Sequence, residues 1–363
     1  MAYGFISNLA KSGHRIHVAA EYVALENPLP PNVTIHFIKI KSKHPVLKRV
    51  EYSLRVRALF ERLSRSIRFD IIHQLNPVHA GLSLGMVGTS VPIVLGNFIP
   101  RWPDDADQLT ARPPSLQSRM RDFAIAPLLL AQQLIAKGLL VVSPAALERF
   151  PLRRCFTSRT YEVHHGIDTA SLFPAPANAK DASDTILFLA NLGARKGMYT
   201  LLDAFESVAE RRPRARLLIA GSGWEEAALL ERIAHMRARD NVTFLGRVSR
   251  EDVPDIMSRA AVYCLPSYGE PYGMSVMEAM ACGKAIVATN IGGPRYMVPA
   301  DGGTLVPARN AFALADALVA LLADPSTAEA MGRVNRASVE SQYAWDKVVE
   351  RLESVYRRVI GVR

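Results

Sequence analysis

YGEPYGMSVMEAMACGKAIVAT, residues 268–289, combines three segments with different local preferences. Residues 268–273 form a loop rich in Gly and Pro, and residues 274–281 are predicted to form a short helix that the nearby Gly283 ends. Residues 285–288 are an apolar run that is typical of a buried parallel strand. The stretch therefore predicts a loop that leads into a helix and then into a strand of an α/β sheet.

Two carboxylates and a helix start predict a ligand site in this stretch. The first backbone N–H groups of a helix have no partner inside it and carry the positive end of its dipole, so Gly273, Met274 and Ser275 are predicted to bind a phosphate group. Glu270 precedes the helix and Glu278 lies one turn inside it, so both can face one cleft and accept hydrogen bonds from sugar hydroxyls. The alternative is a structural helix whose glutamates are solvated, as most glutamates are.

The order of these residues resembles the E-x7-E signature of the retaining glycosyltransferases of family 4, with Glu270 and Glu278 as the acidic pair and a double glycine after the strand. The resemblance implies the GT-B fold, an α/β architecture in which two Rossmann-like, doubly wound domains face each other across a donor cleft. It also implies that Glu278 holds the ribose of a nucleotide sugar and that Glu270 contacts the sugar being transferred. Tyr296 stands where the family usually has a further acidic residue, so we do not expect a contact of that kind.

The loop at residues 191–197 lies between a predicted strand and a predicted helix. It resembles the family pattern G-R-L-x-x-x-K-G, whose Arg and Lys bind the donor diphosphate. Lys196 matches the family Lys, Asn191 stands at the Arg position, and Arg195 is the candidate that compensates for the missing Arg. The alternative for a Lys-Gly pair by itself is a solvated turn.

Three further strands are predicted at residues 216–220, 242–245 and 262–265, each followed by a turn of small residues. In α/β sheets, such turns at the carboxyl ends of the strands are where nucleotides bind. The resemblance implies that Gly221 lies close to the donor and that Arg247 and Val248 surround its base.

Length and composition predict a globular protein of two domains. The chain has 363 residues, of which 49% are hydrophobic and 22 are Gly. We expect a Rossmann-like acceptor domain at residues 1–165, a nucleotide-sugar domain at 166–345 and a helix at 346–363 that crosses back to the first domain. The three cysteines are far apart, which indicates neither a disulfide framework nor a zinc site and fits a reducing cytoplasm.

The N-terminal domain departs from the family in two ways. The chain opens with a predicted helix at residues 1–10, where the family has an apolar strand and a glycine loop before that helix, so the first strand of the domain is predicted to be missing. The given start is then misassigned or truncated, or another segment fills the gap. Asn97 stands where many relatives have a cleft His and is the candidate replacement. A strand is predicted at residues 69–73, and His73 at its end is a weaker site candidate whose alternative is a structural His.

Positive charge is concentrated at residues 39–68. The chain carries a formal net charge of +10, and ten Lys or Arg residues in this segment face only two Glu, with apolar residues interleaved. One interpretation is a helix that binds an anionic membrane surface, and the other is the solvated face of an ordinary helix. Nucleic acid is not an expected partner, because no stacking or recognition motif accompanies the charge.

The family resemblance implies a retaining, metal-independent glycosyltransferase without a cofactor, which moves a hexose-type sugar from a UDP- or GDP-linked donor to a hydroxyl of a glycan or lipid-linked acceptor. We expect it in the cytoplasm, with the inner membrane leaflet as a candidate peripheral location. Lys196 and the start of the helix at Gly273 supply positive charge for the leaving diphosphate. Two alternatives remain open: a degenerate protein that binds nucleotide sugars without catalysis, and a GT-B epimerase, for which the sequence offers no motif.

Overall fold

The computed structural model describes residues 2–23, 28–75, 82–98, 127–128, 130–148, 153–173 and 182–361. The irregular loop that the sequence predicts at residues 101–115 lies outside these ranges, as does the polar linker predicted from residue 174, except for its last residues. The longer helices are Ala2–Lys11, Pro45–Leu63, Met198–Arg211, Glu226–Ala234, Met274–Ala281, Ala311–Ala323, Pro325–Gln342 and Trp345–Ile360, and the shorter ones are Pro144–Glu148, Arg153–Phe156, Val253–Ser258 and Pro294–Met297.

Twelve strands are found in the described part of the chain. They are β1 Ile16–Ala20, β2 Val33–Phe37, β3 Ile72–Gln74, β4 Ile93–Phe98, β5 Gly138–Val141, β6 Thr160–Glu162, β7 Thr185–Leu189, β8 Arg216–Ala220, β9 Val242–Gly246, β10 Val262–Leu265, β11 Ala285–Thr289 and β12 Gly303–Val306. All the pairings recorded between them are parallel.

The C-terminal sheet has the order β12-β11-β10-β7-β8-β9. Strands β7, β10 and β11 are buried along their whole length, because helices cover both faces of the sheet. The strand order reverses between β10 and β7, so the loops that follow these two strands border a crevice at the carboxyl edge of the sheet.

The N-terminal part contains two separate sheets. Strands β1 and β2 pair with each other, and β3-β4-β5-β6 form a second sheet. The predicted loss of a first strand stays a prediction. Strand β3 begins at Ile72 rather than at the predicted Phe69, whose ring instead packs against Phe60 and His17, with ring centroids 5.5 and 5.6 Å away.

The helix Trp345–Ile360 packs against the N-terminal sheet and the first helix. Val348, Leu352 and Tyr356 share an apolar cluster with Phe5 and Leu9. The Trp345 ring is held between two glycines, since a Cβ at Gly4 would lie 2.2 Å and one at Gly166 2.3 Å from its atoms. The last helix therefore ties the end of the chain to its beginning.

No single helix of the described residues is long and apolar enough to cross a bilayer. One bent pair, Ala311–Ala323 with Pro325–Gln342, reaches that length and composition with an angle of 101° between its halves.

Candidate functional site

The loop after β10 and the helix Met274–Ala281 form the centre of the site. Gly273 caps the helix with φ 98° and ψ 50°, a left-handed conformation that an L side chain rarely adopts. A Cβ on Gly293 would lie 1.9 Å from the carbonyl oxygen of Tyr272, so glycine at position 293 lets two loops touch. The N–H of Gly293 donates to the Glu270 carbonyl at 2.9 Å, which fixes the loop that carries Glu270.

Lys196 and Glu270 form an ion pair in this site. The Lys196 Nζ lies 2.5 Å from Glu270 Oε2, with 18% and 8% of the two side chains exposed. Gly197 has φ 74°, and a Cβ there would lie 1.8 Å from the Pro266 carbonyl oxygen, so the lysine loop can approach the loop after β10 only with glycine at this position. The pair places a cation and a carboxylate together at the crevice between β7 and β10.

Glu278 lies one turn inside the helix and is half-buried. Burial raises the pKa of its carboxyl above the ordinary value, and the nearby Arg250 guanidinium opposes that shift. Within the described residues the carboxylate accepts no hydrogen bond from the protein. The hydroxyl of Tyr263 donates to the Leu189 carbonyl at 2.9 Å, and burial raises its pKa well above the usual range, with Glu278 and Glu270 close enough to add to the effect. Both acidic residues of the signature thus lie around one buried tyrosine, and Glu278 retains free acceptor atoms.

The other predicted donor contacts lie at the same sheet edge. Asn191, Arg195, Gly221, Arg247, Val248, Met274 and Ser275 all follow the carboxyl ends of strands β7 to β10. Gly221 has φ 137°, and a Cβ there would lie 1.9 Å from the Ala190 carbonyl oxygen. Its N–H donates to the Gly246 carbonyl at 2.7 Å, which joins the turn after β8 to the turn that begins at Arg247.

The two N-terminal candidates, His73 and Asn97, already have protein partners. The ring nitrogens of His73 lie 2.5 Å from the Tyr356 hydroxyl and 2.6 Å from the Gly96 carbonyl oxygen, and burial lowers its pKa to about 4. His73 thereby links β3 to the last helix, as the structural alternative expects. Asn97 is buried and donates from Nδ2 to the Val163 carbonyl at 2.7 Å, while its Oδ1 has no partner among the described residues.

A contact between Tyr272 and His165 was not predicted from the sequence. The backbone N–H of His165 donates to the Tyr272 hydroxyl at 3.1 Å, and the two rings pack edge to face with centroids 4.9 Å apart. Burial lowers the pKa of His165 to about 3, so its ring is neutral. The contact connects the segment between the domains to the loop of Glu270, and its residues lie 107 positions apart, beyond the reach of any local pattern.

The geometry combines features that suit a phosphorylated sugar ligand. A helix start and Lys196 supply positive charge, Glu270 pairs with Lys196, and Glu278 supplies free acceptors one turn inside the helix. A hydrogen bond to an ionised carboxylate is stronger than one between two neutral groups, so sugar hydroxyls are suitable partners for both glutamates.

Comparisons with known proteins identify similar sequences. Residues 172–338 match the family described as "Glycosyl transferases group 1". The GDP-mannose-dependent monoacylated alpha-(1-6)-phosphatidylinositol monomannoside mannosyltransferase of Corynebacterium glutamicum is 33% identical over 234 residues, which span 59% of this chain and 60% of that protein. The N-acetyl-alpha-D-glucosaminyl L-malate synthase of Bacillus anthracis is 24% identical over 97% of this chain and 91% of its own length.

A solved structure extends the similarity to the whole fold. Sucrose-phosphate synthase of Thermosynechococcus elongatus superposes with a TM-score of 0.73 over 99% of this chain and 92% of that chain, at 22% identity. The predicted GT-B fold is thereby confirmed.

Proposed function

We propose that this chain, whose residues 172–338 match the glycosyl transferases group 1 family, moves a hexose from a nucleoside-diphosphate sugar to an acceptor hydroxyl with retention of configuration. The observation that carries the proposal is the Lys196–Glu270 ion pair beside the start of the helix that bears Glu278. These groups form a site for diphosphate, sugar and ribose at the carboxyl edge of one sheet.

In the proposed reaction, the bond between the anomeric carbon and the diphosphate oxygen breaks as the acceptor oxygen forms its bond on the same face. The proton of the acceptor hydroxyl moves to the departing diphosphate. Lys196 and the N–H groups at residues 273–275 stabilise the negative charge that develops on the diphosphate, because preorganised charge in a partly desolvated site is most effective there. Glu270 orients the sugar, and Glu278 orients the ribose.

The donor is proposed to be GDP-mannose or a related UDP- or GDP-linked hexose, since one relative uses GDP-mannose. A thermal-shift panel of UDP, GDP and ADP sugars tests this proposal, because a ligand that binds only the folded state raises the unfolding free energy by about 2.7 kcal/mol at a hundred times its Kd. Stabilisation by one base class, with release of the nucleoside diphosphate in the presence of an acceptor, supports a transferase. Binding of the sugar nucleotide with no release identifies the non-catalytic alternative.

Retention and metal independence follow from the family resemblance and are tested separately. NMR of the product reports the anomeric configuration, and an inverted product would refute retention. Activity that survives an excess of EDTA supports a reaction in which the residues of the chain provide the charge stabilisation.

The acceptor is proposed to be a glycan or lipid-linked hydroxyl, and the helix Pro45–Leu63 is proposed to approach an anionic membrane. Leu47, Val50 and Leu54 form an exposed apolar ridge along the helix, within a segment of high positive charge. Arg57 is not among the basic residues proposed to face the membrane, because its guanidinium donates to the carbonyls of Gly85 and Val87.

Pelleting with vesicles that contain anionic lipid tests the membrane proposal. We expect binding that weakens with added salt, and loss of binding when Leu47 and Leu54 are replaced by Ser, or when Arg55, Arg62 and Arg65 are replaced by Gln. Pelleting that none of these changes reduces, or no pelleting of the native chain, would support the solvated-face alternative.

A further inference from the structure

Trp224 is an exposed aromatic residue at the same sheet edge as the ion pair. Its side chain is 65% exposed in the turn that follows β8, whereas the next residue, Glu225, is buried. Exposure of a large aromatic ring to water is unfavourable, and a ligand that covers the ring removes this exposure. The groups around Trp224 determine which ligand could do so.

The backbone that carries Trp224 is held tightly by the neighbouring loop. A Cβ on Gly223 would lie 2.2 Å from the Leu192 carbonyl oxygen, so the two loops approach as closely as glycine allows. The N–H of Glu225 donates to the same carbonyl at 3.2 Å, and the N–H of Leu192 donates to the Ser222 carbonyl at 3.0 Å. The indole is therefore presented by a fixed turn, and a ligand that stacks on it orders little additional chain.

Trp224 and Asn191 converge on one point of the lysine loop. The indole Nε1 lies 3.4 Å, and Asn191 Oδ1 3.8 Å, from the position that a Cβ on Gly193 would occupy. Asn191 is exposed, so its amide is accessible beside the ring. The N–H of Lys196 donates to the Gly193 carbonyl at 2.8 Å, so Gly193 lies one turn along the backbone from Lys196 of the proposed diphosphate site.

We propose that Trp224 and Asn191 form a saccharide subsite in which the C–H face of a pyranose ring packs on the indole and a hydroxyl of the sugar hydrogen-bonds the amide. An apolar face beside a group that both donates and accepts matches the two-sided chemistry of a sugar ring. This inference rests on the proposed function for its location beside the donor site. The pyranose belongs either to the donor or to the acceptor, and the experiment separates these sources.

The test measures binding to the native chain and to the variants Trp224→Ala, Trp224→Phe and Asn191→Ala. In the donor arm, calorimetry compares GDP-mannose with GDP. In the acceptor arm, calorimetry follows the titration of methyl α-mannopyranoside in the presence of saturating GDP for every variant. In the chains that retain Trp224, a change in indole emission also reports the contact. Since Trp224 and Asn191 are both exposed, all the variants should keep the native melting temperature. Trp224→Phe, which retains a ring, should bind the sugar more tightly than Trp224→Ala.

We expect Trp224→Ala to weaken one of the two sugars by roughly tenfold, the scale of one good ring contact, while GDP binding stays native. A loss confined to GDP-mannose assigns the ring to the donor, and a loss confined to the methyl mannoside assigns it to an acceptor. Equal binding of both sugars by native chain and Trp224→Ala would overturn the subsite. A native chain that binds no sugar nucleotide in the thermal-shift panel would instead refute the proposed function, whatever the saccharide titration gives.

Discussion

Removal of the Glu278 carboxylate should weaken the binding of a nucleoside diphosphate and of its sugar ester by the same factor. Both ligands contain the ribose, and the carboxylate accepts no hydrogen bond from the described part of the protein, so it is free to accept from ribose hydroxyls. A hydrogen bond to a charged group contributes about 1.5–3 kcal/mol, which corresponds to a loss of affinity of roughly tenfold to a hundredfold for Glu278→Ala. Glu278→Gln is the matched control, because it keeps the size of the side chain and removes only the charge.

Glu270→Ala should behave differently because of its ion pair. The carboxylate lies 2.5 Å from the Lys196 Nζ, so its removal frees the ammonium group for the diphosphate. We expect nucleoside diphosphate affinity to stay native or to increase, and turnover to fall, since the contact with the transferred sugar is strengthened as the sugar approaches the transition state. Lys196→Ala should weaken every ligand that contains a diphosphate and spare the nucleoside.

Calorimetry with guanosine, GDP and GDP-mannose on the three alanine variants separates these roles. If nucleotides with another base stabilise the protein most in the thermal-shift panel, the nucleoside, nucleoside diphosphate and sugar nucleotide of that base replace guanosine, GDP and GDP-mannose. GDP binding that is as tight in Glu278→Ala as in the native chain would refute the ribose assignment, and the roles inferred from the E-x7-E resemblance would fail with it.

Three further predictions concern stability. Gly197→Ala should lower the unfolding free energy by about 2 kcal/mol or more, because it adds a clash with a backbone carbonyl to the penalty of a left-handed φ. Gly246→Ala, at φ 68° and with open space around its Cβ position, should lower it by only about 1–2 kcal/mol. Thermal melts of the two variants test this difference. Arg336→Ala should lower the unfolding free energy by about 3 kcal/mol, since its guanidinium donates to three backbone carbonyls, and a comparable loss in the exposed control Arg333→Ala would contradict this. The unfolding free energy should fall as the pH drops from about 6.5 to 4, because the unfolded chain takes up a proton on His73 that the buried ring, with its pKa lowered to about 4, does not accept in the folded state. Urea unfolding of His73→Asn should show a smaller change of unfolding free energy with pH, and an unchanged pH dependence would refute this origin.

The amino-acid sequence by itself determined the elements around the site. The helix Met274–Ala281 and the strands β8 and β10 have the predicted bounds. The resemblance of this stretch to the E-x7-E signature, rather than the order of the elements, implied the GT-B fold. Glycine turns and runs of apolar residues act over a few positions along the chain, so they can be recognised without knowledge of the rest of the fold. The predicted ends of some strands were less accurate. Strand β3 begins at Ile72, because Phe69 packs against two rings from other elements and strand pairing begins only after it.

Only the tertiary structure decided which side chains meet. Lys196 and Glu270 are 74 positions apart, and the sequence predicted the sites of both but not their ion pair. His73, a site candidate from its place at a strand end, uses its two ring nitrogens in contacts with Tyr356 of the last helix and with Gly96 of β4. Trp224, which no motif indicated, lies beside the lysine loop. Such contacts depend on how closely two loops approach across the sheet, and that distance is set by packing of the whole domain rather than by any local pattern of residues.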